Sequence, residues 1–316
     1  LSAKNAKRPL IVGEVLFDCF PDHRILGGAP LNVAWNLRGL GLDPLLVTAI
    51  GDDEPGRVVV GAMDRWSLDR SALQIKPGHA TGRVDIELRS GEPTYRFWDD
   101  VAFDHIAMPD SQVLADPPGL IYHGSLAMRG DESRRTILEL RRTLDCPVFV
   151  DINIRQPHFD VAWIDSLVRG TDHVKLNVDE LRLLLAVLNH GVGSIGQHGL
   201  VNQVGGQTDW ESLRADATRL QQAWGIRNVW ITAGGEGAGW IGPGGDFHHA
   251  AAPVVEHLAD TVGAGDAFAA MTIRGILTDL SPAESLARSA ALAARICGLR
   301  GATTEDRSFY SSEEPT

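Results

Sequence analysis

Short apolar runs alternate with longer stretches of helical period through most of this 316-residue chain. Leu10 to Val15 reads as a first strand. A helical pattern follows from Ala29 to Leu40, then a strand from Pro44 to Ile50. The turn from Gly51 to Gly56 feeds a helix reaching about Trp66. Strand-length runs recur at Leu120 to His123, Pro147 to Asp151, His173 to Leu176 and Asn228 to Thr232. Helical patterns at Asp131 to Leu144 and Trp210 to Trp224 separate them. Two more, Gly265 to Leu277 and Pro282 to Gly298, close the chain. Strands alternating with helices predict a mostly parallel sheet covered on both faces.

One region breaks this rhythm. Gly82 to Leu88 alternates with period two, turns at Ser90 to Pro93 and resumes from Thr94 to Trp98, a hairpin with one apolar face. It need not belong to the central sheet. Asn189 to Asp209 is rich in Gly and Gln without periodicity, and is expected to be a surface loop.

Composition narrows the classes. Net charge is −12, with lysine at Lys4, Lys7, Lys76 and Lys175 alone, a balance that repels nucleic acid and anionic membrane. No run approaches the roughly 18 apolar residues of a membrane span, and Leu1 to Arg8 lacks a signal-peptide core, so a cytoplasmic protein is expected. Cys19, Cys146 and Cys297 form no C-x-x-C pair, which argues against a disulfide framework and a zinc ribbon. The scattered histidines show no helical H-x-x-x-H spacing. An anionic substrate would have to be held by helix starts, a metal ion and a few arginines.

Candidate chemistry concentrates in Asp260-Thr-Val-Gly-Ala-Gly-Asp266. Gly263, Ala264 and Gly265 open a helix whose free N–H groups and partial positive charge suit a phosphate. Asp266, in the first turn, can take a proton from an attacking hydroxyl. Gly27-Gly-Ala-Pro-Leu-Asn32 places two glycines and an amide side chain at another helix start. Gly13-Glu-Val-Leu-Phe-Asp18 puts a carboxylate just past the first strand, where open α/β sheets collect ligands. Asp151-Ile-Asn153-Ile-Arg155 follows a further strand, and period two would set all three polar groups on one side. Asn177 and Glu180 share a helical face, and the same pair also reads as a capping box. Thr232, Gly234 and Gly237 lie in a glycine-rich turn that is neither a dinucleotide fingerprint nor a P-loop. The small side chains of Ser289 to Ala294 suit either an adenine pocket or tight helix packing.

These motifs, in this order from Leu10 to Thr304, resemble the ribokinase, or PfkB, family of carbohydrate kinases. The resemblance implies a single domain over 1–316, a ribokinase-like three-layer α/β/α sandwich with a small β-sheet lid at about 14–27 and 80–100. It implies ATP as co-substrate and Mg2+ organised by Asn177 and Glu180, largely through water. Asp266 would be the base, with Gly263, Ala264, Gly265 and Arg155 at the phosphoryl group. Asp18, Gly27, Gly28, Asn32 and Asn153 would hold the sugar, and Thr232, Gly234, Gly237, Asn177 and Gly265 the nucleotide. A potassium-like ion would use Asp260 and the carbonyls of Val262, Ile296, Leu299 and Gly301, and a homodimer would form through the lid. The stretches from Thr81 to Asp104 and from Gly124 to Ala127 are most similar to bacterial fructokinases, and D-x-N-x-R is shared with 2-keto-3-deoxygluconate kinases. The expected reaction is fructose to fructose 6-phosphate, with a sugar-acid, ribose or nucleoside acceptor next. A catalytically silent sugar-binding regulator on the same scaffold is the rival from another class.

Overall fold

The computed structural model describes residues 6–89, 92–191 and 208–311. Among them, nine strands form one sheet. In chain order they are β1 (Pro9–Val12), β4 (Leu45–Gly51), β5 (Leu73–Lys76), β8 (Leu120–His123), β9 (Val148–Asp151), β10 (His173–Asn177), β11 (Asn228–Thr232), β12 (Ala238–Ile241) and β13 (Phe247–Ala250). Their spatial order is β13-β12-β11-β10-β9-β8-β1-β4-β5, parallel except for the antiparallel β11-β12-β13 edge.

Strand alternation sorts the core into two layers. Leu10, Val12, Val148, Val150, Val229 and Ile231 face one side, packing under α3 (Asp131–Thr143), α4 (Ile164–Val168), α5 (Val178–His190) and α6 (Trp210–Trp224). Ile11, Phe149 and Trp230 face the other, under α1 (Ala29–Gly39), α2 (Glu54–Trp66), α7 (Ala264–Leu277) and α8 (Pro282–Ile296). Both faces of these strands are therefore apolar, which is why the sequence shows runs rather than clean alternation.

A second, four-stranded sheet stands apart: β2 (Leu16–Cys19), β3 (Arg24–Gly27), β6 (Gly82–Arg89) and β7 (Glu92–Phe97), in the order β3-β2-β6-β7. The period-two hairpin is β6-β7, with its turn residues Ser90 and Gly91 outside the described residues.

Several boundaries moved. The first strand stops at Val12, because Gly13 takes φ 148° and the chain turns toward the small sheet. Helix α5 runs to His190, three leucines in a row carrying it past the expected loop start. Residues 192–207 of that loop lie outside the described residues. Strands β5, β12 and β13 were not anticipated. Phe247-His-His-Ala250 has the polar, exposed character of an edge strand, and Gly239 breaks the apolar pattern of β12 without breaking the strand. The turn from Gly51 to Gly56 does feed a helix, with Asp53 capping α2 through the Gly56 amide at 2.8 Å.

Candidate active site

The carboxyl ends of the parallel strands converge on the start of α7. Gly263 is its N-cap, at φ 80°, and a Cβ there would lie 2.3 Å from Cα of Ala302. Glycine is required twice over, for the left-handed backbone and for the close approach. The first helical bond runs from the Ala267 N–H to the Gly263 carbonyl at 2.9 Å, so the amides of Gly265 and Asp266 have no intrahelical acceptor. This revises the expected trio. The Ala264 N–H already donates to the Thr261 carbonyl at 3.3 Å, and the Asp266 amide is the additional free donor.

Asp266 is half-buried in the first turn, and Asn32 of α1 donates from Nδ2 to its Oδ2 at 2.8 Å. Desolvation raises its pKa, against that hydrogen bond and the cations Lys175 and Arg155, while Asp151 raises it further. A carboxylate so held is a better proton acceptor than a solvated one. Gly28 caps α1 at φ 108°, where a Cβ would press 2.6 Å from the Glu14 carbonyl. Asp18, on β2, is half-buried beside Gly27 and is raised to about 6 by burial, with Arg155 pulling the other way. Arg155 itself is exposed, yet its charge acts on Asp18, Glu14 and Asp266 alike. The structure thus brings Asp18, Gly27, Gly28, Asn32, Arg155 and the 263–266 turn together.

The D-x-N-x-R segment does not run as an extended chain. Strand β9 ends at Asp151, and Asn153 has φ 39°, so period two fails beyond the strand. Asp151 turns inward, fully buried, and both its oxygens lie 2.9 Å from Nζ of Lys175 on β10. That ammonium sits below the α7 turn, 3.2 Å from where a Cβ on Gly265 would be. Burial disfavours its charge, but Asp151, Glu180 and Asp266 outweigh this and raise its pKa. The ion pair went unnoticed in the sequence, although a signal existed. A lysine inside the apolar run Val174-Lys-Leu176 of a lysine-poor chain has to be buried, and hence paired.

Asn177 and Glu180 form the capping box of α5, with the Glu180 N–H donating to Asn177 Oδ1 at 2.9 Å and the Asn177 N–H to Glu180 Oε2 at 2.8 Å. Glu180 Oε1 accepts from the Ile154 N–H at 2.9 Å. Both oxygens of this buried carboxylate thus serve the backbone, and desolvation raises its pKa against Lys175. Glu14 is a further buried carboxylate beside the site. Desolvation lifts it to about 7, and its Oε2 has no hydrogen-bond partner.

Next to the amide turn opens a cleft of about 620 Å³. Thr232, Gly234 and Gly237 line it, with Ala264 and Gly265. Gly237 is at φ 98°, where a Cβ would lie 2.2 Å from the Ala250 carbonyl oxygen. From Ser289 to Ala294, Ala290, Ala293 and Ala294 line the cleft, whereas the Ser289 hydroxyl is buried against Thr272. Ala252 to Val255 and Leu258, which also line the cleft, were not anticipated, since that stretch has no regular period. Asp260 accepts from the Val262 N–H at 3.0 Å and the Gly301 N–H at 3.4 Å, joining the loops before α7 and after α8, while the Ile296 carbonyl accepts from the Leu299 N–H at 2.8 Å.

An α/β sheet with an amide cradle, an adjoining carboxylate and a neighbouring apolar cleft defines a small-molecule phosphotransferase. The chain belongs to the pfkB family of carbohydrate kinases, whose family model matches residues 12–307. It is 26% identical over 310 residues to a fructokinase of Klebsiella pneumoniae, covering 93% of each chain. A putative sugar kinase of Pyrococcus horikoshii, PH1459, is 23% identical over 175 residues, which spans 52% of this chain and 56% of that protein. The crystal structure of a Xylella fastidiosa fructokinase with bound ATP shares the fold at a TM-score of 0.79 and 20% identity, over 97% of this chain and 98% of that one. Among the described residues, no helix is long and apolar enough to cross a membrane.

Proposed function

We propose that this sugar kinase transfers the γ-phosphoryl group of ATP to the primary hydroxyl of fructose, giving fructose 6-phosphate. One observation carries the reading: a desolvated carboxylate, Asp266, fixed by Asn32 beside unpaired helix-start amides. The sugar lies between Asp18, Gly27, Gly28, Asn32 and Asn153 under the small sheet, which excludes water. Asp266 accepts the proton as the hydroxyl oxygen attacks phosphorus. The amides of Gly265 and Asp266, with Gly263 and Ala264 shaping the turn and Arg155 nearby, stabilise charge on the transferring group. Thr232, Gly234, Gly237 and Asn177 hold the nucleotide, its base against the alanines of α8.

Three carboxylates, Asp151, Glu180 and Asp266, surround the single ammonium of Lys175, and this negative balance fits a cation arriving with the nucleotide. Because Glu180 spends both oxygens on amides, Mg2+ would be held by Asn177 and Glu180 through water, an arrangement magnesium favours. When bound, it neutralises phosphate charge. A monovalent cation such as K+ would sit by Asp260 and the carbonyls of Val262, Ile296, Leu299 and Gly301. The exposed Ile25, Tyr95 and Trp98 on or beside the small sheet support a homodimer through it.

A second reading rests on Arg155, whose charge reaches both Asp18 and Asp266 and would suit a carboxylate-bearing acceptor such as 2-keto-3-deoxygluconate. A coupled ADP assay over sugars and sugar acids, with and without Mg2+, separates the two. Fructose should give the highest kcat/KM. Tight sugar binding without turnover would instead indicate a silent regulator. Asp266→Asn should cut kcat by about 10² or more, and an unchanged rate removes it as the base.

A further inference from the structure

A cluster unused by this chemistry lies where the small sheet joins the large one. His79 stands in the connection from β5 to β6. Asp100 and His105 follow β7, in and beside a short 3-10 turn (Ala102–His105). Nε2 of His105 is 2.7 Å from Asp100 Oδ1, and Nδ1 of His79 is 3.5 Å from the same oxygen. The donor atoms of all three residues lie within 4.8 Å of one another. The imidazole centroids are 3.8 Å apart. Behind them, Glu132 in the first turn of α3 places Oε2 3.4 Å from Nδ1 of His105, and its Oε1 lies 3.6 Å from Nζ of Lys76.

The arrangement has a chemical direction. Nε2 of His105 donates to Asp100 at 2.7 Å, so a metal ion bound there would replace that hydrogen, and Glu132, facing Nδ1, would then hold the ring's remaining N–H. Nδ1 of His79 donates to the Asp100 backbone carbonyl at 3.2 Å and lies 3.5 Å from the same carboxylate oxygen, so binding a metal through Nδ1 would move its hydrogen to Nε2. One ring nitrogen from each histidine and one carboxylate oxygen thus gather within 4.8 Å of one another. That is an N,N,O donor set in which a divalent cation would replace the hydrogens that now join it. Bonds of about 2.1 Å at tetrahedral angles put donors roughly 3.4 Å apart. The 3.5 Å His79 contact already fits, and the shorter contact to His105 opens by rotation of its half-buried side chain. Asp100, His105 and Glu132 also line an open cavity of about 880 Å³, which gives an ion access.

We propose that His79, Asp100 and His105 form a three-donor site for a divalent transition-metal ion of the zinc class, with Glu132 orienting His105 and solvent filling the fourth position. Imidazole donors select such an ion over magnesium. Bound there, the ion ties the chain entering the β6-β7 hairpin to the chain leaving it. The proposal does not depend on the kinase reading, and its test uses no substrate.

Chelator-treated full-length protein is titrated with Co2+ by visible absorption and with Zn2+ by calorimetry. The expected result is one saturable site with a tetrahedral Co2+ spectrum. His79→Asn and His105→Asn should each weaken it at least tenfold, and Glu132→Gln about tenfold. Asp100→Asn, which keeps shape and tolerates the positive φ of 54° at that position, tests the same site should a histidine variant fold poorly. No saturable uptake by the parent protein would show a hydrogen-bonded cluster only and overturn the proposal. Uptake unchanged in the Asp100 and histidine variants would place the ion elsewhere and overturn it equally.

Discussion

Replacing Lys175 with methionine removes the cation beneath the α7 turn while keeping most of its length. Lys175 is 6% exposed and Asp151 not at all, so neither charge has water to fall back on. Without the lysine, Asp151 keeps the Tyr122 hydroxyl, a long contact at 3.4 Å. Stranding one member of a buried ion pair costs about 3–5 kcal/mol. Against a total stability of about 5–15 kcal/mol, that brings Lys175→Met close to unfolding at growth temperature. Asp151→Asn added to it removes the stranded charge, so the double variant should regain about 2 kcal/mol or more over Lys175→Met, as a double-mutant cycle measures. Urea unfolding at pH 7 of the parent, both single variants and the double variant supplies the four values. A Lys175→Met loss under about 1 kcal/mol would refute the reasoning, as would a double variant no more stable than that single.

Gly263→Ala should lower kcat by at least about tenfold with a modest change in sugar KM, because the new methyl group meets the backbone of Ala302 and the cradle must move. Circular dichroism melts would show whether the fold survives. Glu14→Gln tests the buried carboxylate through pH. The folded protein holds that proton up to about 7 instead of 4.5, so this contribution is fully present below about 4.5 and lost as pH rises through 7, by roughly 3 kcal/mol. The glutamine variant should therefore lose that slope and exceed the parent in urea stability at pH 8; parallel pH profiles would count against it. Ala294→Leu should raise KM for ATP about tenfold or more and leave sugar KM unchanged, as steady-state kinetics would report. Tyr95→Asp should shift sedimentation toward a monomer if the small sheet forms the dimer contact.

The alternation of apolar runs with helical periods was enough to lay out the doubly covered sheet, since buried parallel strands and amphipathic helices leave strong local signals. The glycines at 28 and 263 were legible for a similar reason, because backbone approach restricts residue type. What the sequence hid was orientation after a strand ends. Asp151 looked like a neighbour of Asn153 and Arg155 along an extended chain, but the turn at Asn153 sent it inward to Lys175. The loop from Ala252 to Leu258 lines the cleft through tertiary placement that no periodicity encodes. His79, Asp100 and His105 come from two separated segments, so a search for helical metal spacing passes over them.

The hydrogen bond between Asn32 and Asp266 joins residues 234 positions apart. A chain growing from its amino end completes every strand of both sheets by Ala250, before either the last two long helices or Asp266 has been made. Until α7 and α8 arrive, one side of the large sheet lacks the cover they provide over residues such as Phe149 and Trp230. Nascent protein therefore passes through a stage that is already sticky and not yet active, and docking of the second half of that helical layer ends both conditions at once.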